Sequence, residues 1–80
     1  MVIKILGSGC ANCQKLEVLA RTAVEQLGID AEIVKVTDIA DIMAYGVMST
    51  PALVVDEVLK LAGRVPSLDE VVTVLERAGA

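Results

Sequence analysis

The chain contains no histidine, no tryptophan and no phenylalanine, and only one tyrosine, Tyr45. With so little aromatic bulk, the core must come from Ile, Val, Leu and Ala, and 55% of the residues are hydrophobic. Without histidine, a closed zinc site has only two cysteines to draw on where four ligands are needed. Lys and Arg number seven against eleven Asp and Glu, scattered to a net charge of −4. No basic cluster exists to neutralise phosphates, which argues against nucleic acid as a partner. No apolar run approaches the roughly 18 residues of a membrane span. The N-terminus shows no charged region followed by an apolar one and a cleavage site, so no export is expected. Eighty residues are expected to form one domain, residues 1–80.

What is present centres on Gly7-Ser8-Gly9-Cys10-Ala11-Asn12-Cys13, which holds both cysteines. As a structural clip the pair is poor, because so short a loop contributes only about 2 kcal/mol of chain entropy. Two cysteines without an export signal point to a reducing cytoplasm, where CxxC is more often catalytic or metal-binding. Residues three apart on a helix lie about 5 Å apart at Cα, inside the window for a disulfide. Reversible dithiol chemistry is therefore the first reading.

Taken in order, Val2 to Leu6 is a short β-branched run closed by Gly7 and predicts a strand. Lys4 interrupts it, with its stem along the sheet and its ammonium expected in water. Leu16, Leu19, Ala20, Ala23, Val24 and Leu27 recur at helical spacing, and Gly28 supplies a left-handed stop. Residues 31–36 predict a second strand, and a strand, helix and strand without a hairpin signal make a right-handed parallel unit. Thr37 or Asp38 caps a short helix ending at Gly46. Ala52 to Val55 is a fully apolar strand, and Val58 to Leu61 pairs back as an edge. The intervening Asp56-Glu57 is not an Asn-Gly or Asp-Gly turn, so this loop is expected to be strained or longer than two residues. Ser67 and Glu70 form a capping box for the last helix. Tyr45 and Met48 read as packing residues. The pattern β-α-β-α-β-β-α predicts an α/β fold with a four-stranded mixed sheet, order 2-1-3-4, and helices on both faces.

Three blocks carry a likeness to a known family: Gly7-x-Gly9-Cys10-x-x-Cys13, the run from Tyr45 through Thr50-Pro51 to Val55, and Gly63-Arg64-Val65-Pro66-Ser67. Together they span essentially the whole chain and resemble the small, glutaredoxin-sized thioredoxins of archaea and bacteria. The resemblance implies a thioredoxin-like fold and a thiol–disulfide oxidoreductase that reduces protein disulfides through Cys10 and Cys13. It also implies a cis proline at Pro51 and a flavoprotein reductase of the thioredoxin-reductase kind as electron donor. Classical thioredoxins carry Gly-Pro between the cysteines, a preceding tryptophan and an acid in strand one; here Ala11-Asn12 stands between them and both other features are missing.

The chemistry suits these residues. The attacking species in disulfide exchange is a thiolate, and a helix N-terminus favours a negative charge by about 0.5 to 2 kcal/mol. Cys10 is therefore the expected nucleophile. Cys13, one turn in on the face of Leu16, is expected to be shielded and to resolve the mixed disulfide. Thr50 and Pro51 are expected to offer backbone to an extended substrate beside Cys10. No cofactor and no metal are called for. Two other readings use the same residues. Two thiolates suit a Cu(I) carrier, but such domains run βαββαβ and end in a strand. A glutathione-dependent glutaredoxin would use Gly63-Arg64 and the start of the last helix, though the paired glycines and acidic pair typical of that site are missing.

Overall fold

The computed structural model describes residues 1–79; Ala80, the last residue of the expected domain, lies outside the described residues. Its elements are β1 (Val2–Leu6), α1 (Ala11–Leu27), β2 (Glu32–Val36), α2 (Ile39–Ala44), β3 (Ala52–Val55), β4 (Val58–Ala62) and α3 (Leu68–Arg77). The sheet order is β2-β1-β3-β4. β1 pairs in parallel with β2 and antiparallel with β3, and β4 returns antiparallel on β3. This is the expected topology, and its element order, βαβαββα among the described residues, differs from the βαββαβ order of the carrier reading. No helix among the described residues is long and apolar enough to cross a membrane.

The period-two alternation of strands divides the core. On one face Ile3, Ile5, Leu53 and Val55 pack against Leu16, Ala20 and Ala23 of α1 and Val71 and Leu75 of α3. On the other, Leu6, Ala52 and Val54 meet Ile42 of α2 and Val47. Both faces of β3 are thus covered, which is why its sequence is apolar without interruption. The alanines in α1 let that helix lie close over the sheet while α3 fits beside it.

The helix ends follow local rules with one exception. Asp38 caps α2, accepting from the Ala40 and Asp41 N–H groups, and Gly28 ends α1 at φ 64°. Ser67 accepts from the Glu70 N–H, but the Glu70 carboxylate does not complete the box. It takes a two-pronged contact from Arg64 instead.

The hairpin between β3 and β4 is a two-residue loop, with Val55 opposite Val58. Asp56 and Glu57 both take left-handed backbone, at φ 48° and 69°, as a primed turn demands. Neither is glycine, so of the two expectations the strained one holds. Contacts beyond the turn offset the strain. The Asp56 carboxylate accepts from the Val2 N–H at 2.8 Å, and the Asp56 N–H donates to Val2 O at 2.8 Å. Glu57 accepts from Lys4 Nζ at 2.5 Å and from the Tyr45 hydroxyl at 2.9 Å. Lys4 therefore does not simply reach water. Its ammonium also donates to Tyr45 Oη at 2.7 Å, and the Glu57 and Tyr45 contacts hold it above its usual pKa. Tyr45 packs against the α2-side core as expected, and it adds this polar role.

Asp56→Ala removes the carboxylate that restrains the turn and places alanine at positive φ. It is expected to cost about 1 to 2 kcal/mol, whereas Asp56→Asn keeps both an acceptor and a residue tolerant of that conformation and should cost a few tenths. Urea unfolding of the two variants separates them.

Candidate active site

The site is built where β1 hands over to α1. The Gly7 N–H donates to Val36 O at 2.9 Å, which carries the β1–β2 pairing one residue past the strand. Gly9, at φ 82°, then turns the chain so that Cys10 sits at the N-cap of α1 with extended backbone, φ −69° and ψ 165°. An N-cap is usually Ser, Thr, Asp or Asn, whose oxygen accepts a free N–H of the first turn. Here sulfur does so: Cys10 Sγ accepts from the Cys13 N–H at 3.2 Å. The same donor and the helix dipole favour a thiolate at that position when the pair is reduced.

Cys10 and Cys13 are joined as a disulfide with their Cα atoms 5.1 Å apart. Their surroundings differ. Cys10 is exposed, while Cys13 is 5% exposed. Residues i and i+3 share a helix face, so the contrast is one of depth. Cys10 is the N-cap, with extended backbone at the open end of α1, whereas Cys13 lies one turn in, over the bare Cα of Gly7 at the end of β1.

Gly7, the first residue of the motif, has a packing role that sequence reasoning did not see. A Cβ at Gly7 would overlap Cys13 Sγ, would lie 3.2 Å from Cys13 Cβ, and would come 3.8 Å from Thr50 Cβ. The missing side chain at the end of β1 is the space that the buried sulfur fills. The only signal in the sequence was a glycine closing a β-branched strand just ahead of the thiols.

The 50–51 segment arrives from the opposite side. The Thr50–Pro51 peptide is cis, in keeping with the family likeness. Pro51 is buried, and its carbonyl accepts from the Gly63 N–H at 2.9 Å. The structure thus brings Cys10, Cys13, Thr50 and Pro51 to one end of the sheet. It does not bring Met48 into the core as expected: Met48 is 98% exposed. Val47 is the residue of that loop that turns inward, and its neighbour is left in solvent.

Behind Cys13 lies a small cavity of about 70 Å³, lined in part by Gly7, Cys13, Glu17 and Lys35. Glu17 accepts from Arg21 Nε at 3.0 Å and from Lys35 Nζ at 3.4 Å. These contacts, Arg21 foremost, hold its carboxyl below the usual range against a smaller opposing effect of desolvation. Neither residue was singled out from the sequence; i and i+4 spacing on α1 puts Glu17 one turn beyond Cys13. Among the described residues no group of three or more His, Cys, Asp or Glu stands close enough to hold a metal ion.

A vicinal thiol pair with one sulfur exposed at a helix N-terminus and the other a turn deeper defines a dithiol–disulfide exchange domain. Comparison with known proteins agrees. The thioredoxin domain family matches residues 1–76. The chain is 49% identical to a thioredoxin of Methanothermobacter thermautotrophicus over 75 residues, covering 94% of this chain and 97% of that one. It is 45% identical to a thioredoxin of Methanocaldococcus jannaschii over 71 residues, covering 89% and 81%. Among solved structures, thioredoxin 1 of Thermosipho africanus superimposes with a TM-score of 0.63 at 24% identity, covering 98% and 93%, a likeness of fold. The chain belongs to the thioredoxin family and is a thiol–disulfide oxidoreductase.

Proposed function

We propose that Cys10 is the nucleophile and Cys13 the resolving thiol of a protein-disulfide reductase formed by residues 1–80. Cys10 thiolate attacks a substrate disulfide, forms a mixed disulfide and releases one substrate thiolate. Cys13, having given up its proton, attacks the Cys10 sulfur, closes the Cys10–Cys13 disulfide and releases the second thiolate. Two electrons pass to the substrate, and the released thiolates take up two protons. Thr50 and Pro51 present backbone to the extended segment that carries the substrate sulfur. The dithiol is then restored by a reductase, which we take to be a flavoprotein, in a reducing cytoplasm.

The observation that carries this reading is the contrast between an exposed Cys10 sulfur that accepts the Cys13 N–H and a Cys13 that is 5% exposed. The glutathione reading is weaker, because the paired glycines and acidic pair typical of that site are missing around Gly63-Arg64. Limited alkylation of reduced protein with iodoacetamide, followed by peptide mapping, tests the assignment. Cys10 is expected to be modified at least about tenfold faster than Cys13, following exposure and thiolate character. Preferential labelling of Cys13 would reverse the roles. Turnover that depends on glutathione rather than on a flavoprotein reductase would overturn the assigned donor.

A further inference from the structure

Closing the disulfide requires Cys13 to shed a proton, and burial disfavours a charged sulfur. The chain has no histidine to take that proton. Behind the sulfur, β1 contributes only Ile5 and Gly7 to the cavity of about 70 Å³, and neither can accept one. The charged groups that line it are Glu17 from α1 and Lys35 from β2. A lysine ammonium has protons to donate and no lone pair to offer. Among the described residues, Glu17 is thus the carboxylate that shares an enclosed space with the Cys13 sulfur. The cavity is wide enough for a water to link the two.

Glu17 is not placed as an ordinary surface ion pair, in which both partners sit in solvent and contribute little. Its side chain is turned inward and 17% exposed, while Arg21 and Lys35, which reach in to it, are 58% and 64% exposed. The same two cations keep the carboxyl ionised below the usual carboxylate range, so it is free to accept a proton in mildly acid solution. They also suit the transfer itself. When a proton moves from Cys13 to Glu17, the negative charge moves from carboxylate to sulfur beside the same cations. The cluster's net charge does not change, so no additional charge has to be desolvated.

We infer that Glu17 is the proton acceptor for Cys13 in the closing step. The Cys13 S–H proton passes to the Glu17 carboxylate, and the Cys13 thiolate attacks Cys10 Sγ. The bond between Cys10 and the substrate sulfur breaks, and that sulfur leaves with the electron pair. Glu17 then returns its proton to solvent, from which the departing thiolate takes one up. The inference rests on the assignment of Cys10 as nucleophile and Cys13 as resolving thiol.

The test mixes reduced protein, freed of reductant and dilute, with less than one equivalent of the small disulfide dithiobis(nitrobenzoate). The first coloured thiolate appears when Cys10 attacks and the second when Cys13 closes the disulfide, so absorbance reads the two steps apart. At about pH 6, Glu17→Gln is expected to leave the first step within about twofold of wild type and to slow the second about tenfold. That is less than the ~10²-fold or more that a general base usually contributes, because solvent at the cavity mouth takes over part of the role. At about pH 9.5, where thiols ionise unaided, the second step of the two proteins should agree within about twofold. Glu17→Asp keeps a carboxylate and should stay within about threefold of wild type at about pH 6. A second step unchanged in Glu17→Gln overturns the proposal, as does slowing of equal size at both pH values, which marks a structural role. Glu17→Asp as slow as Glu17→Gln overturns it too. Cys10→Ser serves as the separate control. If it releases the first thiolate at the wild-type rate, the assignment of the two sulfurs fails, whatever the Glu17 variants do.

Discussion

Cys13→Ser is expected to leave the protein covalently joined to its substrates through Cys10. The first attack needs only the outer sulfur, which is exposed and bonded to a helix N–H. The second needs a thiol held beside it, and the Cα atoms of the two cysteines are 5.1 Å apart. A well-aligned intramolecular nucleophile acts at an effective concentration of about 10⁵ M or more. Millimolar thiol in solution replaces it poorly, so release of the mixed disulfide should slow by about 10³-fold or more. Incubated with oxidised insulin, Cys13→Ser should accumulate an adduct visible by mass on a non-reducing gel, and dithiothreitol should dissolve it. Cys10→Ser should form no such adduct and reduce nothing. Adducts on Cys10→Ser and none on Cys13→Ser would exchange the roles of the two sulfurs.

The features of the site that can be read from the chain are those governed by short-range rules. Cys10 and Cys13 share a helix turn, and a glycine-rich stretch between a β-branched run and a helical repeat puts them at its start. The order of strands followed from the absence of a hairpin between β1 and β2 and from the unbroken apolar run of β3, which must be central. What escaped notice depends on partners far along the chain. Asp56 tolerates its backbone because it bonds to Val2, 54 residues away, and Glu57 because Lys4 and Tyr45 reach it. No turn propensity contains that information. Met48 misled for a related reason. Its residue type argues for burial, but only one side of the loop before β3 faces the core, and Val47 occupies it. Gly7 is the clearest case. The need for a bare Cα there appears only once α1 has folded back over the end of β1 and lowered Cys13 onto it.

That need makes Gly7→Ala the substitution outside the thiols with the largest expected effect. An added methyl carbon would overlap the Cys13 sulfur, and neither side yields easily. The Gly7 backbone is tied to Val36 by a 2.9 Å hydrogen bond. The sulfur is bonded to Cys10 and buried against the end of the sheet. Overpacking of this kind costs about 1 to 3 kcal/mol, and the oxidised variant should fall near the upper end because both groups are anchored. For a domain of this size a loss of about 2 to 3 kcal/mol lowers Tm by about 10 to 20 °C. Insulin reduction should drop by about tenfold or more, since small misplacements of a reacting group cost that much. A background of Cys13→Ala isolates the cause. With the sulfur gone, the nearest remaining atom is the Cys13 Cβ at 3.2 Å, and the penalty of Gly7→Ala should shrink by more than half. Residues in contact show such coupling, typically about 0.5 to 3 kcal/mol. An equal penalty in both backgrounds, measured by urea unfolding, would mean that Gly7 serves the backbone alone and that the buried sulfur does not require the space.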